Sequence, residues 1–304
     1  MRALVNTPNG PTPVEFRDLP EPEPRADEAL VEVRAFSLNR GELTLFRNLH
    51  EGWRPGQDIA GTVLRSPDPA SLPVGARVVA IADRAGWAER AAVPLSRIAC
   101  LPDAVSFEDA AALPVAGITA LRTLRFGDPL LGRRVLITGA SGGVGTLAVQ
   151  LAVCAGARVT AVARAGSADT MRRLGARETV ARVGDAQGRY HLILESAGGA
   201  SLAAALERVA SGGTVVVFGN SSREPTEFSF ATFREAQNAR IQSFFSFTSG
   251  PEEAFAPDLA LLAGLVAEGA LRPQVSVRDW DQINATAAEL EARRLPGKAV
   301  FRIA

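Results

Sequence analysis

The residues best suited to chemistry lie between Val135 and Gly145, VLITGASGGVG, where an apolar run meets Gly139, Gly142, Gly143 and Gly145 and leads into the helix-forming stretch LAVQLAVCAG. A sharp strand-to-helix turn needs permissive backbone, and a pyrophosphate can approach it only where side chains are missing. The helix start then offers free N–H groups and the positive end of its dipole to the anion. Ser141, Gly142, Gly143 and Val144 are the candidate contacts for a dinucleotide. The spacing is GxxGxxG rather than GxGxxG, but the strand before it and the helix after it supply the required context.

A second apolar strand, RVTAVA at 158–163, ends on Arg164, Ala165, Gly166 and Ser167. A site for NAD usually places an acid there to accept from the ribose 2′-OH. Here Arg164 is placed to pair with a 2′-phosphate and Ser167 to donate to it, so NADPH is the expected cofactor. The competing reading of Arg164 is a solvated arginine in an arginine-rich chain.

These residues need elements to hold them. The 33 basic and 33 acidic residues give a formal net charge of zero, which disfavours nucleic-acid and membrane-surface partners and favours small substrates. All the basic residues but Lys298 are arginine. Cys100 and Cys154 form no close pair, which excludes a disulfide framework and a four-cysteine zinc lobe. The N-terminus turns polar at Asn6, short of the apolar run of about 7 to 15 residues in a secretory signal. Leu259 to Val266 falls far short of the roughly 20 residues that span a bilayer, so the expectation is a cytoplasmic protein.

Residues 1–118 predict a β-rich domain. Val31, Val33 and Ala35 alternate with Glu32 and Arg34, the period of a half-buried antiparallel strand, and 75–82 and 88–93 add short strands. SFED at 106–109 has the pattern of a helical capping box. From 119 to 261 apolar runs at 135–139, 158–163, 191–195, 214–219 and 240–247 alternate with helical stretches such as 144–155 and 202–209. That is the pattern of a doubly wound α/β domain with a parallel sheet buried on both faces. The segments after 262 are too few for a third domain and are expected to complete the first.

Taken together, the chain resembles the zinc-independent quinone oxidoreductase-like branch of the medium-chain dehydrogenase/reductase superfamily. The landmarks run through nearly the whole chain: MRALV, AFSLNRGEL at 35–43, PGQDIAG at 55–61, GWAERAAVP at 86–94, LPVAGITAL at 113–121, ASGGVG, LGA at 174–176, SAGG at 196–199, GGTVVVFGN at 212–220 and GKAVF at 297–301. The resemblance implies an α/β fold: a GroES-like catalytic domain, residues 1–118 and 262–304, with a Rossmann domain, residues 119–261, inserted and the nicotinamide in the cleft between them. Where zinc-dependent relatives carry a Cys and a GHE histidine, this sequence has Asn39 to Glu42 and Gly56-Gln57-Asp58, so no metal site is expected. Without a Lewis acid, direct hydride transfer to an electron-poor quinone or conjugated enone is the chemistry implied.

The resemblance also supplies site candidates. Asn39 and Thr119 match cleft positions, with a turn-stabilising Asn and a helix-capping Thr as the competing readings. Glu42 stands where relatives often carry Asp; it orients a proton relay or pairs with a nearby Arg. His50 is a candidate proton donor or a solvated loop residue, and Trp53 an aromatic wall or ordinary packing. Gly219, Asn220 and Ser221 fall beside the nicotinamide ribose, and Phe245, Ser246 and Phe247 near its carboxamide. Lys298 reaches the cofactor or is a surface lysine. The Tyr that many relatives carry is missing: Thr44 lies in that neighbourhood, and the only Tyr is Tyr190.

The leading expectation is an NADPH-dependent quinone oxidoreductase. The alternatives are an enoyl or 2-alkenal reductase of secondary metabolism and an NADPH-binding sensor or other non-catalytic protein. A homodimer is expected through the last Rossmann strand near Arg240 to Phe247, whose β-branched and aromatic residues need shielding at an edge.

Overall fold

The computed structural model describes residues 1–246 and 254–303. The chain divides into two units, Met1–Ile118 with Phe247–Ala304, and Thr119–Ser246. The first contains β1 (Arg2–Asn6), β2 (Val14–Asp18), β3 (Glu28–Leu38), α1 (Arg40–Asn48), β4 (Asp58–Arg65), β5 (Arg77–Ile81), β6 (Arg90–Pro94), β7 (Ile98–Cys100) and α2 (Phe107–Ala111), and the division falls within α3 (Pro114–Leu124). The second contains β8 (Arg134–Ile137), α4 (Gly143–Cys154), β9 (Arg158–Val162), α5 (Ala168–Arg173), β10 (Glu178–Val180), β11 (Tyr190–Glu195), α6 (Gly199–Arg208), β12 (Val209–Val217) and β13 (Arg240–Ser243). The chain then returns to the first unit with α7 (Ala256–Ala267), β14 (Val275–Asp279), α8 (Ile283–Glu291) and β15 (Lys298–Arg302).

The alternation read in β3 holds over its first half, where Val31, Val33 and Ala35 are buried, Glu32 is half-buried and Arg34 is exposed. From Ala35 to Leu38 every side chain is buried. Phe36 packs there between Phe301 at 5.1 Å and Trp87 at 5.4 Å, centroid to centroid, so this end of the strand has no solvent face. The sheet runs β14-β15-β3-β4-β5-β7, with β6 also pairing β3. β15 lies antiparallel to β3, so the C-terminal strand sits beside the start of α1 although most of the chain separates them in sequence. Ser106 caps α2 by accepting from the Asp109 N–H at 3.1 Å.

The expected boundary after residue 261 is corrected. It would cut through α7, which begins at Ala256 and packs on β5 and β7 of the first unit with Leu259, Leu262 and Ala263 buried. A helix that buries a continuous apolar face on one sheet does not divide in mid-length.

The second unit is a six-stranded, wholly parallel sheet in the order β10-β9-β8-β11-β12-β13. The order reverses between β8 and β11, and the C-terminal ends of those two strands are where such sheets take ligands. Strands β8, β9, β11 and β12 carry buried apolar residues as expected, whereas β10 has no apolar run to announce it. The last run was expected to be strand over 240–247, but β13 ends at Ser243; all four of its residues are exposed, and among the described residues nothing pairs with its outer edge. Among the described residues no helix is long and apolar enough to cross a membrane.

Candidate functional site

In the second unit, β8 ends at Ile137 and α4 starts at Gly143, with Gly142 as its extended N-cap. A Cβ on Gly145 would lie 2.4 Å from the Gly139 carbonyl oxygen and 2.6 Å from the Ala140 Cα, so the first turn of α4 packs on the loop without room for a side chain. The first helical N–H groups have no acceptor within the helix. Ser141, Gly142, Gly143 and Val144 are all partly exposed, which leaves the turn open to an anion. This cradle, at the switch point of the sheet, fits a dinucleotide pyrophosphate.

The loops after β11 and β12 are laced to the same turn. Thr138 Oγ1 accepts from the Ser196 N–H at 2.9 Å. The Ser221 and Ser222 N–H groups donate to the Ser196 and Ala197 carbonyls at 3.1 and 2.7 Å. Behind them the buried Glu195 carboxylate accepts from the Gly198 N–H and the Ser201 hydroxyl, each at 2.8 Å, and from Thr138 Oγ1 at 3.2 Å. Sequence reading missed Glu195 because it ends an otherwise apolar strand, HLILE. Gly219 and Asn220 lie on this rim, where Asn220 Oδ1 accepts from the Ser222 hydroxyl at 3.1 Å. Arg164 follows β9 as an exposed residue and Ser167 is half-buried beside it, with no acid between them. Phe245 is exposed and Ser246 buried, while Phe247 lies outside the described residues.

In the first unit a different kind of site forms at the start of α1. The Lys298 ammonium is buried and donates to three oxygens: Leu38 O at 3.2 Å, Asp58 Oδ2 at 2.9 Å and Asn39 Oδ1. Asp58, fully buried, accepts from Ser37 Oγ at 2.6 Å, Asn39 Nδ2 at 2.8 Å and the Val115 N–H at 2.8 Å as well as from Lys298. Three N–H bonds meet three acceptors, a match for a compact ammonium and not for a planar guanidinium. The Asn39 amide is thereby oriented from both sides, oxygen toward Lys298 and nitrogen toward Asp58.

Glu42 lies next to this cluster with no exposed surface. Its Oε2 accepts from the Asn39 N–H at 2.8 Å, and its Oε1 is buried without a partner. Burial, reinforced by the Asp58 charge and opposed by Lys298, pushes its pKa up to about 8, so the carboxyl is neutral at pH 7. The expected pairing with an arginine does not occur: Glu42 sits inside the start of α1, where the neighbouring charges are Asp58 and Lys298.

Other expectations are also corrected. Lys298 is not a surface lysine, because β15 carries it into the core beside β3. Thr119 does not cap a helix: it is buried within α3, and its carbonyl accepts from Thr123 Oγ1 at 2.7 Å. Asn39 does precede α1 as its N-cap, yet its amide serves the buried cluster. His50 is exposed, with Nδ1 on its neighbour's carbonyl, Glu51 O, at 2.9 Å, and is not part of the cluster. Trp53 is buried, Thr44 is exposed, and the Tyr190 hydroxyl is committed to Thr160 Oγ1.

A family model described as zinc-binding dehydrogenase matches residues 143–264. The polyketide synthase system protein NorB of Streptomyces orinoci is 36% identical over 272 residues, covering 85% of this chain and 12% of that protein. A chloroplast envelope quinone oxidoreductase homolog of Arabidopsis thaliana is 34% identical over 188 residues, 56% of this chain and 57% of its own length. The chain thus spans an eighth of one relative and little over half of the other. A solved mycobacterial structure complexed with NADPH matches with a TM-score of 0.89 at 25% identity, covering 100% of both chains. In sequence this chain is similar to proteins described as quinone oxidoreductases and as zinc-binding dehydrogenases, and it shares the fold of the NADPH-complexed mycobacterial protein.

Asn39, Glu42, Gln57 and Asp58 lie in the two segments, Asn39 to Glu42 and Gly56 to Asp58, that the resemblance sets against the zinc-site motifs of other branches. Among the described residues no group of three or more His, Cys, Asp and Glu side chains is placed to hold a metal ion. The positions are instead built around a lysine. Two members of the cluster, Asp58 and Lys298, were not assigned a role together from the sequence. The available signal was compositional: a single lysine in a chain whose other basic residues are all arginine.

Proposed function

We propose that this protein is an NADPH-dependent reductase that passes a hydride to a quinone without a metal ion. The observation that carries the reading is the presence in one chain of an open glycine turn, with Arg164 rather than an acid after β9, and of an amide, Asn39, held from both sides by Lys298 and Asp58.

Bound NADPH supplies a hydride at nicotinamide C4. The backbone of Ser141 to Val144 holds the pyrophosphate, and Arg164 with Ser167 holds the 2′-phosphate, which makes NADPH preferred over NADH. Gly219, Asn220 and Ser221 would hold the nicotinamide ribose, and Phe245 and Ser246 the carboxamide. Asn39 has one amide N–H beyond its bond to Asp58 and would offer it to the oxygen that becomes negative as the acceptor is reduced. The neutral Glu42 keeps a second negative charge out of that environment. A quinone would take up the hydride and one proton from solvent to give the hydroquinone.

The similarity to NorB favours a second reading, reduction of a conjugated enone or enoyl thioester, which makes the same demands on donor and cofactor. Steady-state NADPH oxidation with a panel of quinones and a panel of enones separates the two. Tight NADPH binding with turnover of neither points to a sensor or other non-catalytic protein. The exposed edge of β13 supports a homodimer formed by strand pairing, and a monomer in sedimentation at micromolar concentration would refute it.

A further inference from the structure

At the far end of the parallel sheet from the glycine turn, Arg134 and Arg158 begin β8 and β9 as direct register partners. Register partners on neighbouring parallel strands project from the same face, so two guanidinium-bearing side chains stand next to each other, an arrangement that is unfavourable without a counter-charge. Arg177, which precedes β10, adds a third. These three arginines, with Val159, Thr160 and Glu178, line a solvent-open cavity of about 360 Å³, in which Arg158 and Arg177 are exposed.

Among the described residues no ion pair neutralises this cluster. Arg172, Arg182 and Arg189 of the same unit pair with Asp169, Asp185 and Glu235. None of Arg134, Arg158 and Arg177 has a carboxylate at ion-pair distance among the described residues. The one acid in the lining, Glu178, accepts from Thr160 Oγ1 at 3.0 Å, and three arginines against one glutamate leave the cavity positive. Arg134 is held in place, with Nη2 donating to Gln187 O and the guanidinium 4.6 Å from the Tyr190 ring centroid. The field reaches the next strand: His191 is held below the ordinary histidine range by burial first and then by the charges of Arg133 and Arg134.

We propose that this cavity binds a phosphate-class oxyanion, separately from the dinucleotide turn. Adjacent forked donors suit the several oxygens of a phosphate, and a dianion matches the surplus charge of the lining. The volume leaves room for a phosphate carried on a small organic body as well as for the free ion.

Calorimetric titration of the full chain with inorganic phosphate and with glycerol 3-phosphate, against acetate at matched ionic strength, tests this. Saturable phosphate binding is expected, weakened about tenfold or more in the double variant Arg158→Gln/Arg177→Gln and unchanged in Arg164→Gln. Because the double variant relieves like-charge repulsion, its Tm without phosphate should not fall below that of the parent protein. Tighter binding of glycerol 3-phosphate than of phosphate identifies a metabolite-borne group, and equal affinity the free ion. Absence of saturable binding, binding that survives the double variant, or binding lost only in Arg164→Gln overturns the proposal.

Discussion

The two units handle charge by opposite means. In the second, the turn between β8 and α4 is defined by what is missing: a Cβ on Gly145 has no space, and backbone N–H groups face outward. In the first, the cluster at the start of α1 is defined by side-chain identity, with every hydrogen of one ammonium committed to a named oxygen. The turn is a local device made by consecutive residues. The cluster joins partners 240 to 260 residues apart, and it exists only once β15 lies beside β3. A backbone site therefore tolerates changes around it but no added side chain, whereas the cluster tolerates no change of charge or shape among its members.

The largest effect should come from Lys298→Met, which leaves the Asp58 carboxylate buried without its counter-ion and should cost about 3 to 5 kcal/mol in urea unfolding. Lys298→Arg should fail to restore stability, since a planar fork does not match the three acceptors. A methionine variant as stable as the parent would show that charge does not define the cluster. On the other side, Gly145→Val should weaken NADPH binding about 100-fold, or about 2.7 kcal/mol, with the β-rich unit left folded. Unchanged affinity would remove the pyrophosphate from this turn.

A more gradual effect, spread over pH, comes from Glu42. The folded protein keeps on this residue a proton that the unfolded chain releases near its ordinary value of 4.5, so the stability present below pH 4.5 is lost as pH rises to about 8. The slope is at most about 1.4 kcal/mol per pH unit for one proton. Glu42→Gln, neutral at every pH, should flatten the pH–stability curve across that window and be the more stable protein at its upper end; an unchanged curve would mean that Glu42 is ionised when folded. The smallest effect is expected for Arg164→Gln, with the KM for NADPH raised about tenfold and that for NADH unchanged. Equal changes for both cofactors would leave Arg164 as a solvated arginine.

Much of the fold was legible because its signals are local. The period of two in β3, the cap at Ser106 and the apolar runs of β8, β9, β11 and β12 each occupy a few consecutive residues. The glycine turn was legible for the same reason. Less legible were β10, which is short and carries no apolar run, and the end of the inserted unit, because α7 reads as a helix without showing which sheet covers it. The cluster was half legible: the family resemblance selected Asn39 and Glu42, but a sequence does not show whether an acid is buried neutral or paired with one of many arginines.

The sequence alone determined the elements, the glycine turn and the residue that follows β9, because those depend on side-chain period and on where side chains are missing. The tertiary structure alone decided that the single lysine is an internal counter-ion, that Glu42 is a neutral acid, and that Arg134, Arg158 and Arg177 share a cavity with no carboxylate at ion-pair distance among the described residues. Burial and long-range pairing set the charge state of such groups, and both arise only when distant strands meet.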